Sequence, residues 1–121
     1  MENLDLRCAD LGKQLADKAD EKLLTDALAV LEEQGVYAFF LYLKARGKDA
    51  GTRVSGACRD FLKRTPEAKP LLGNAQNEIF TGLQTLAADL DGLLLARDLL
   101  RQALVYGRYH AKAATPAGGG G

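Results

Sequence analysis

Residues 36–43 read Val-Tyr-Ala-Phe-Phe-Leu-Tyr-Leu, an uninterrupted apolar run near the middle of the chain. Its length and aromatic content suit a buried strand as well as a buried helix. A lone strand leaves its backbone hydrogen-bonding groups unsatisfied, and no other segment of the sequence offers a strand to pair with it. The run therefore predicts a central helix that is apolar on all sides and ends near Lys44, Arg46 and Gly47.

Two amphipathic helices are predicted before this run. Apolar residues recur with helical spacing between Leu4 and Leu15, which predicts a first helix over residues 3–16. A second apolar stripe covers residues 24–31 and stops before Gly35, a residue typical of helix C-termini. The polar stretch between the two stripes, residues 17–22, is either a break or a solvated helical turn.

Three further helices are predicted after the run. Thr52 is a favourable N-cap for a helix that ends at Arg64, and residues 65–73, which contain both interior prolines, predict a loop. A helix then carries apolar residues from Ile79 to Leu90, with Asn74 or Asn77 near its start. A last long helix is predicted over about Asp91 to Ala113.

These elements predict an all-α fold: one compact bundle of five or six helices, with the apolar helix at its centre. Residues 1–113 are expected to form a single domain, since 121 residues with 47% hydrophobic content can bury a core unaided. Residues 114–121 end in four glycines and predict a flexible tail, to which we assign no function. No apolar run near the N-terminus resembles a secretory signal, so a cytoplasmic location is expected.

Charge is distributed in blocks along a chain whose net charge is zero. Residues 1–34 carry nine acids and four bases, and residues 35–64 carry two acids and seven bases. Residues 65–96 carry four acids and one base, and residues 97–121 carry one acid and four bases. An acidic side and a basic side are typical of a subunit that contacts a polyanion on one face and proteins on another, although surface charge also segregates without function.

The last helix arranges its bases in a row that we call the basic stripe: Arg97, Arg101, Arg108 and Lys112. At 100° per residue these four side chains fall within about 60° of one another. The apolar and small residues of the helix occupy a separate arc and predict a core face that a neighbouring helix approaches closely. The stripe suits phosphate contact, because an arginine guanidinium matches phosphate oxygens, and it is equally consistent with a solvated helix edge.

A second basic region spans the end of the central helix and the helix after it. Together with the basic stripe it gives the candidate RNA-binding residues, which are Lys44, Arg46, Lys48, Arg53, Arg59, Lys63, Arg64, Arg97, Arg101, Arg108 and Lys112. Four tyrosines are candidates for base stacking, namely Tyr37, Tyr42, Tyr106 and Tyr109, although Tyr37 and Tyr42 lie in the apolar run and favour a core position.

The sequence offers no catalytic constellation. His110 is the single histidine and lies near the edge of its helix's apolar face, where a hydrogen-bonded structural role is favoured. Cys8 and Cys58 lie within apolar stripes and are predicted to be core residues. With no further histidine or cysteine, a structural zinc site is excluded, and no glycine-rich phosphate loop occurs. We therefore predict a protein that is not an enzyme and that has no cofactor and no metal.

Two segments resemble a known family. QGVYAFFLYLKA (residues 34–45) resembles the Asn-Gly-Leu…Leu-Ala-Phe-Leu-Lys stretch of the small α-helical subunit of type III-B CRISPR effector complexes, the Cmr small subunit. RDLLRQALVYGRYHAKA (residues 97–113) resembles that family's C-terminal helix, in which Glu-Ala-Leu precedes an aromatic and basic cluster, with Gln102 in place of the usual Glu. The resemblance extends over about residues 20–113.

This resemblance implies a noncatalytic subunit of a ribonucleoprotein that acts in antiviral defence. In the family, copies stack along the backbone subunits that hold the guide RNA and help to line the basic groove for target RNA. The expected partners are thus the backbone and large subunits, other copies of this chain, and guide and target RNA, with no membrane. The alternatives are the small subunit of a type III-A complex, a helical protein adaptor unrelated to CRISPR, and a small enzyme that uses His110.

Overall fold

The computed structural model describes residues 2–73 and 78–114, and it contains six α-helices and no strand within them. The prediction of an all-α bundle of five or six helices is confirmed. The helices are α1 (Leu4–Lys18), α2 (Glu21–Gln34), α3 (Val36–Arg46), α4 (Lys48–Arg64), α5 (Ile79–Leu86) and α6 (Leu90–Ala114). Ala114, predicted as the first residue of the tail, is instead the last residue of α6, because the helix continues one residue past its predicted end. The rest of the predicted tail, residues 115–121, and Asn74 and Asn77 as helix starts, lie outside the described residues.

Short capping residues separate the helices of the N-terminal half. The polar stretch after α1 is a break, because Asp20 caps α2 by accepting a hydrogen bond from the Leu23 backbone N–H at 2.9 Å. Gly35 alone connects α2 to α3, and its φ of 97° lies in the region that favours glycine. The chain therefore turns from α2 into α3 within a single residue.

The start of α4 differs from the prediction. The helix begins at Lys48 rather than after Thr52, whose hydroxyl donates to the Lys48 carbonyl oxygen at 3.1 Å from inside the helix. The reason is a close contact at the α3–α4 corner, where Gly51 lies against the backbone of Leu43 with no room for a side chain. This contact permits α4 to start one residue after α3 ends, so Thr52 is not an N-cap.

The second difference is the end of α5. The helix stops at Leu86, and Leu90 is already the first residue of α6. Asp89 lies between them and accepts a hydrogen bond from the Gly92 backbone N–H at 3.0 Å. The predicted loop over residues 65–73 is present, and Leu72 anchors it by packing into the core.

The central apolar run forms α3 as predicted, but only one of its faces is fully buried. Val36, Phe39, Phe40 and Leu43 are at most 3% exposed, and the rings of Phe39 and Phe40 meet edge to face at 5.1 Å. Tyr37 and Leu41 lie on the other side of the helix and are 47% and 48% exposed. The expected burial of this helix at the centre of the bundle therefore holds for one face only, because α3 packs between α2 and α4 and its outer face is only partly covered.

The most extensive helix–helix contact joins α1 to α6. Gly12 of α1 packs directly on the α6 backbone: a Cβ atom at Gly12 would lie 2.6 Å from the Cβ atom of Tyr106. A Cβ atom at Gly107 would lie 3.2 Å from the Gly12 carbonyl oxygen. The Tyr106 hydroxyl donates to the carboxylate of Asp5 at 2.8 Å, and the Cys8 thiol donates to the Leu99 carbonyl oxygen at 3.4 Å. The predicted close approach to the small residues of α6 is thus confirmed.

We predict that Phe39→Ala or Phe40→Ala lowers the free energy of unfolding by about 3 to 5 kcal/mol, because each ring is fully buried and its loss leaves a cavity. Leu41→Ala, on the half-exposed side of the same helix, should cost less than about 1 kcal/mol. Urea denaturation followed by circular dichroism measures both changes. Equal losses at Phe39 and Leu41 would contradict the orientation of α3.

A matched pair of glycine substitutions tests the α1–α6 crossing. Gly12→Ala should lower the free energy of unfolding by about 1 to 3 kcal/mol, since the new methyl group meets backbone that cannot move aside. Gly56→Ala, at an open position of α4, should raise it by up to about 1 kcal/mol through helix propensity. Chemical denaturation of the two variants decides the point, and stabilisation by Gly12→Ala would contradict the crossing.

Candidate nucleic-acid interface

The basic stripe lies on the outer side of α6, away from the core. The opposite side of the helix is buried, as predicted for Ala96, Leu99, Leu100, Ala103, Leu104 and Gly107. Ala111, also predicted on this face, is only partly buried. Arg97, Arg101 and Lys112 are exposed, and Arg108 is half-buried. Because α6 is fixed to α1 along its buried side, it presents these side chains at a set spacing of about 1.5 Å per residue along the axis.

One member of the stripe is paired within the molecule. Arg101 Nε lies 3.4 Å from Glu32 Oε1 of α2, and both side chains are about half exposed. In the part of the chain that the structure describes, Arg97, Arg108 and Lys112 have no ion pair, and Arg108 Nε is buried without a hydrogen-bond partner. Arg97 and Lys112 are therefore the members most available to an external anion.

The second basic region does not join the stripe. Its residues belong to α3 and α4, and α4 packs against α1 and α3, whereas α6 packs against α1 and α2. Helix α1 contacts both α4 and α6. Gly12 is on the face of α1 that contacts α6, and Gln14, two residues later, points about 200° away from Gly12 around the helix. The eleven predicted residues thus belong to two groups of helices, α3 with α4 and α6 alone, and α1 packs against both α4 and α6.

Several bases of the second region are engaged locally. Lys44 lies over the Phe80 ring, 5.4 Å from its centroid, and Arg59 Nε contacts Asp60 Oδ1 at 3.2 Å. Lys63 is half-buried. Arg46, Lys48, Arg53 and Arg64 are exposed, and none of these four has a carboxylate partner within the described ranges.

A groove between α1 and α4 is lined by part of the second basic region. We call it the α1/α4 groove, an open cleft of about 330 Å³. It is lined by Gln14, Lys18, Arg53, Gly56, Ala57, Asp60 and Arg64. Sequence reasoning named Arg53 and Arg64 but missed Gln14 and Lys18, which belong to the acidic N-terminal block. Their i, i+4 spacing beside the apolar stripe of α1 was the available signal.

The four tyrosines lie in four different environments. Tyr37 is nearly half exposed and its ring lies 5.1 Å from that of Phe80, so its predicted core position is wrong. Tyr42 is half-buried as part of the packing around the core. Tyr106 is held by Asp5, and this hydrogen bond raises the pKa of the phenol. Tyr109 is 69% exposed next to the stripe residue Arg108 and is the tyrosine most available for stacking there.

The nucleophilic and metal-binding residue types are dispersed. Among the described residues, no three His, Cys, Asp or Glu side chains are grouped so as to hold a metal ion. His110 is exposed and its side chain has no hydrogen bond there, so the structural role predicted for it is not observed. Cys8 and Cys58 are buried as predicted. Burial, and to a smaller extent the charge of Asp5, raise the pKa of Cys8 to about 11. Burial raises the pKa of Cys58 to about 12.

Both thiols should therefore resist alkylation in the native protein, because the reactive thiolate is suppressed near neutral pH and neither sulfur is accessible. Iodoacetamide at pH 8 should modify neither cysteine in the folded chain and both in urea, as read by mass spectrometry. Folding raises both pKa values above the ordinary cysteine value of 9.0. The contribution of the two protonated thiols to the free energy of unfolding is therefore fully present below about pH 9 and declines as the pH rises toward 11. Rapid native labelling of Cys58 would contradict its burial.

Comparisons with protein-family models, with curated proteins and with solved structures find nothing that matches this chain. None of the described helices combines the length and the apolar character that crossing a membrane requires.

Proposed function

We propose that this chain is the noncatalytic small subunit of a type III-B CRISPR ribonucleoprotein effector, the Cmr small subunit. In this role it stacks with other copies along the backbone subunits of a cytoplasmic complex. It contributes basic side chains to the groove that receives target RNA in antiviral defence. Its partners are the backbone and large subunits and the guide and target RNA.

The observation that supports this proposal most directly is the basic stripe on α6. Arg97 and Lys112 project from a helix whose other side forms the most extensive helix–helix contact in the bundle, so the backbone that carries them is fixed without help from a ligand. Phosphate contacts of this kind fix position and carry no sequence information. That property suits a subunit that must accept any target sequence.

The two segments that carry the family resemblance occupy connected parts of the fold. Residues 34–45 form the α2–α3 corner and most of α3, and residues 97–113 form most of α6. Helix α2 packs against both α3 and α6. The resembling segments therefore flank a common helix.

The competing functions share the helical architecture. A type III-A small subunit differs from the proposal only in its partners. A protein adaptor would use the charges for helix docking, and the Arg101–Glu32 pair shows that at least one stripe residue can be satisfied by a carboxylate. The two hypotheses differ in whether loss of the stripe affects RNA binding or assembly.

Copurification from the native host tests the proposal. A tagged copy of the full chain should recover repeating backbone subunits together with a guide RNA of defined length, and the identity of the backbone subunits separates type III-B from type III-A. A tagged Gly12→Ala variant controls for recovery that depends on the intact fold. Recovery of protein partners without any RNA would favour the adaptor and overturn the proposal.

In the assembled complex, changing all four stripe residues, Arg97, Arg101, Arg108 and Lys112, to Ala should weaken target-RNA binding similarly for every sequence. The slope of log affinity against log salt should flatten by up to about 0.7 for each phosphate of the single strand that is no longer neutralised. Arg101→Ala alone should have the smallest effect, because Glu32 already neutralises it. Lys13→Ala, which removes an exposed base of α1 outside both basic surfaces, is the charge control. Unchanged affinity and slope in the quadruple variant would refute the role of the stripe.

A further inference from the structure

We propose that the α1/α4 groove is a second RNA-binding site, which holds the sugar–phosphate backbone of a single strand on the side of the molecule away from the basic stripe. The inference rests on the proposed function in taking RNA as the ligand. It goes beyond that function in assigning the strand to a groove that α1 separates from α6. Three side chains supply the charge: Lys18, Arg53 and Arg64.

The charge of the groove is uncompensated. None of the three bases has a carboxylate partner among the residues that the structure describes, and Arg53 only donates to the Lys18 carbonyl oxygen at 3.4 Å. The single acid of the groove, Asp60, already accepts from Arg59 Nε at 3.2 Å. A chain with no net charge thus concentrates free positive charge in one cleft.

The floor of the groove is open because its residues are small. Gly56 and Ala57 form the floor, and a Cβ atom at Gly56 would meet only the tip of Arg59 within 4 Å, at 3.9 Å. Arg53 and Arg64 stand at its two ends, about 16 Å apart along the α4 axis. An extended chain can therefore lie along α4 and contact both guanidinium groups.

The groove continues into a neighbouring cleft at the helix corners. Lys18 and Arg53 also line an open cleft of about 620 Å³, where Arg46 adds a further unpaired base. Of the acids in that cleft, Asp26 is paired with Lys22 at 2.7 Å and Asp20 caps α2. Asp17 also lines this cleft, so the bases outnumber the acids left without a partner.

The opposite end of the groove has the reverse charge. Gln14 and Arg64 border a cleft of about 410 Å³ that is also lined by Glu2, Arg7, Asp10 and Glu67. Arg7 lies 3.2 Å from Glu2 and 4.0 Å from Glu67, and Asp10 has no ion pair among the described residues. The three carboxylates of this cleft outnumber its two bases, Arg7 and Arg64, so it is less favourable to phosphate than the groove. The strand is therefore expected to leave the groove toward Arg46 and the α3–α4 corner.

The lining favours RNA over an acidic protein segment. Protein partners are held chiefly by large side chains buried in apolar pockets. No large apolar side chain lines the α1/α4 groove, so such an anchor would find no pocket there. Arginine guanidinium groups match phosphate oxygens in a fork, and phosphate contacts need no apolar anchor.

Fluorescence anisotropy of a labelled oligouridylate with the full chain at low salt tests the proposal. The triple variant Lys18→Gln, Arg53→Gln, Arg64→Gln should reduce the slope of log affinity against log salt by about 2, at roughly 0.7 per phosphate. Gly56→Leu should fill the floor and weaken binding by about tenfold, equivalent to the loss of about 1.4 kcal/mol. The melting temperature of the Gly56→Leu variant should equal or exceed that of the unaltered chain, since leucine is a better helix former than glycine.

Lys13→Gln is the matched control, since it removes an exposed base of α1 outside the groove and should leave the affinity and slope nearly unchanged. Unaltered binding in both groove variants overturns the inference and leaves the proposed function standing on the stripe. Failure of the unaltered chain to bind at low salt also overturns it. If an oligoglutamate peptide competes with the oligouridylate equally well, the groove is assigned to an acidic protein instead. If the groove binds RNA but the chain copurifies with no complex, the proposed function is refuted and the groove inference stands.

Discussion

The bundle depends on the contact between two glycines, Gly12 in α1 and Gly107 in α6. Without side chains at these positions the two helices approach until backbone meets backbone, and Cys8 and Tyr106 then reach their hydrogen-bond acceptors across the crossing. Leu24 of α2 closes over the same point, because its Cδ1 atom lies 3.3 Å from where a Cβ atom of Gly107 would be. Three helices therefore meet at one position that tolerates almost no added volume.

The position of α1 in this arrangement determines how charge is presented. One of its faces packs on α6 and another borders α4, so the bases that line the α1/α4 groove are grouped apart from those of α6. Each surface carries only a few uncompensated bases, so a single copy would have weak affinity for a polyanion. Repetition of the subunit along a filament would multiply such contacts, since linked weak sites bind far more tightly together than alone.

Much of the fold could be predicted from the sequence, because periodicity and the absence of strand partners are local properties. The start of α4 could not be predicted, because Thr52 is a good N-cap by residue type. Only the contact of Gly51 with Leu43 in the folded chain shows that the helix begins earlier. The basic stripe lies on one helix and is visible in the spacing of its residues. The α1/α4 groove is not visible in the sequence, because Lys18 belongs to an acidic segment and Arg53 to a basic one. Only the packing of α1 on α4 brings the two residues together.

The single-residue connections at Gly35 and Gly47 have a consequence for the order of folding. Contacts among α2, α3 and α4 join neighbours in sequence and close only short loops, whereas the α1–α6 crossing joins the two ends of the described chain. Loop closure carries an entropic cost that long-range contacts must meet before they are formed. The α2–α4 segment is therefore expected to organise first, and the docking of α6 on α1 to complete the native state, so that damage at the crossing acts mainly by accelerating unfolding.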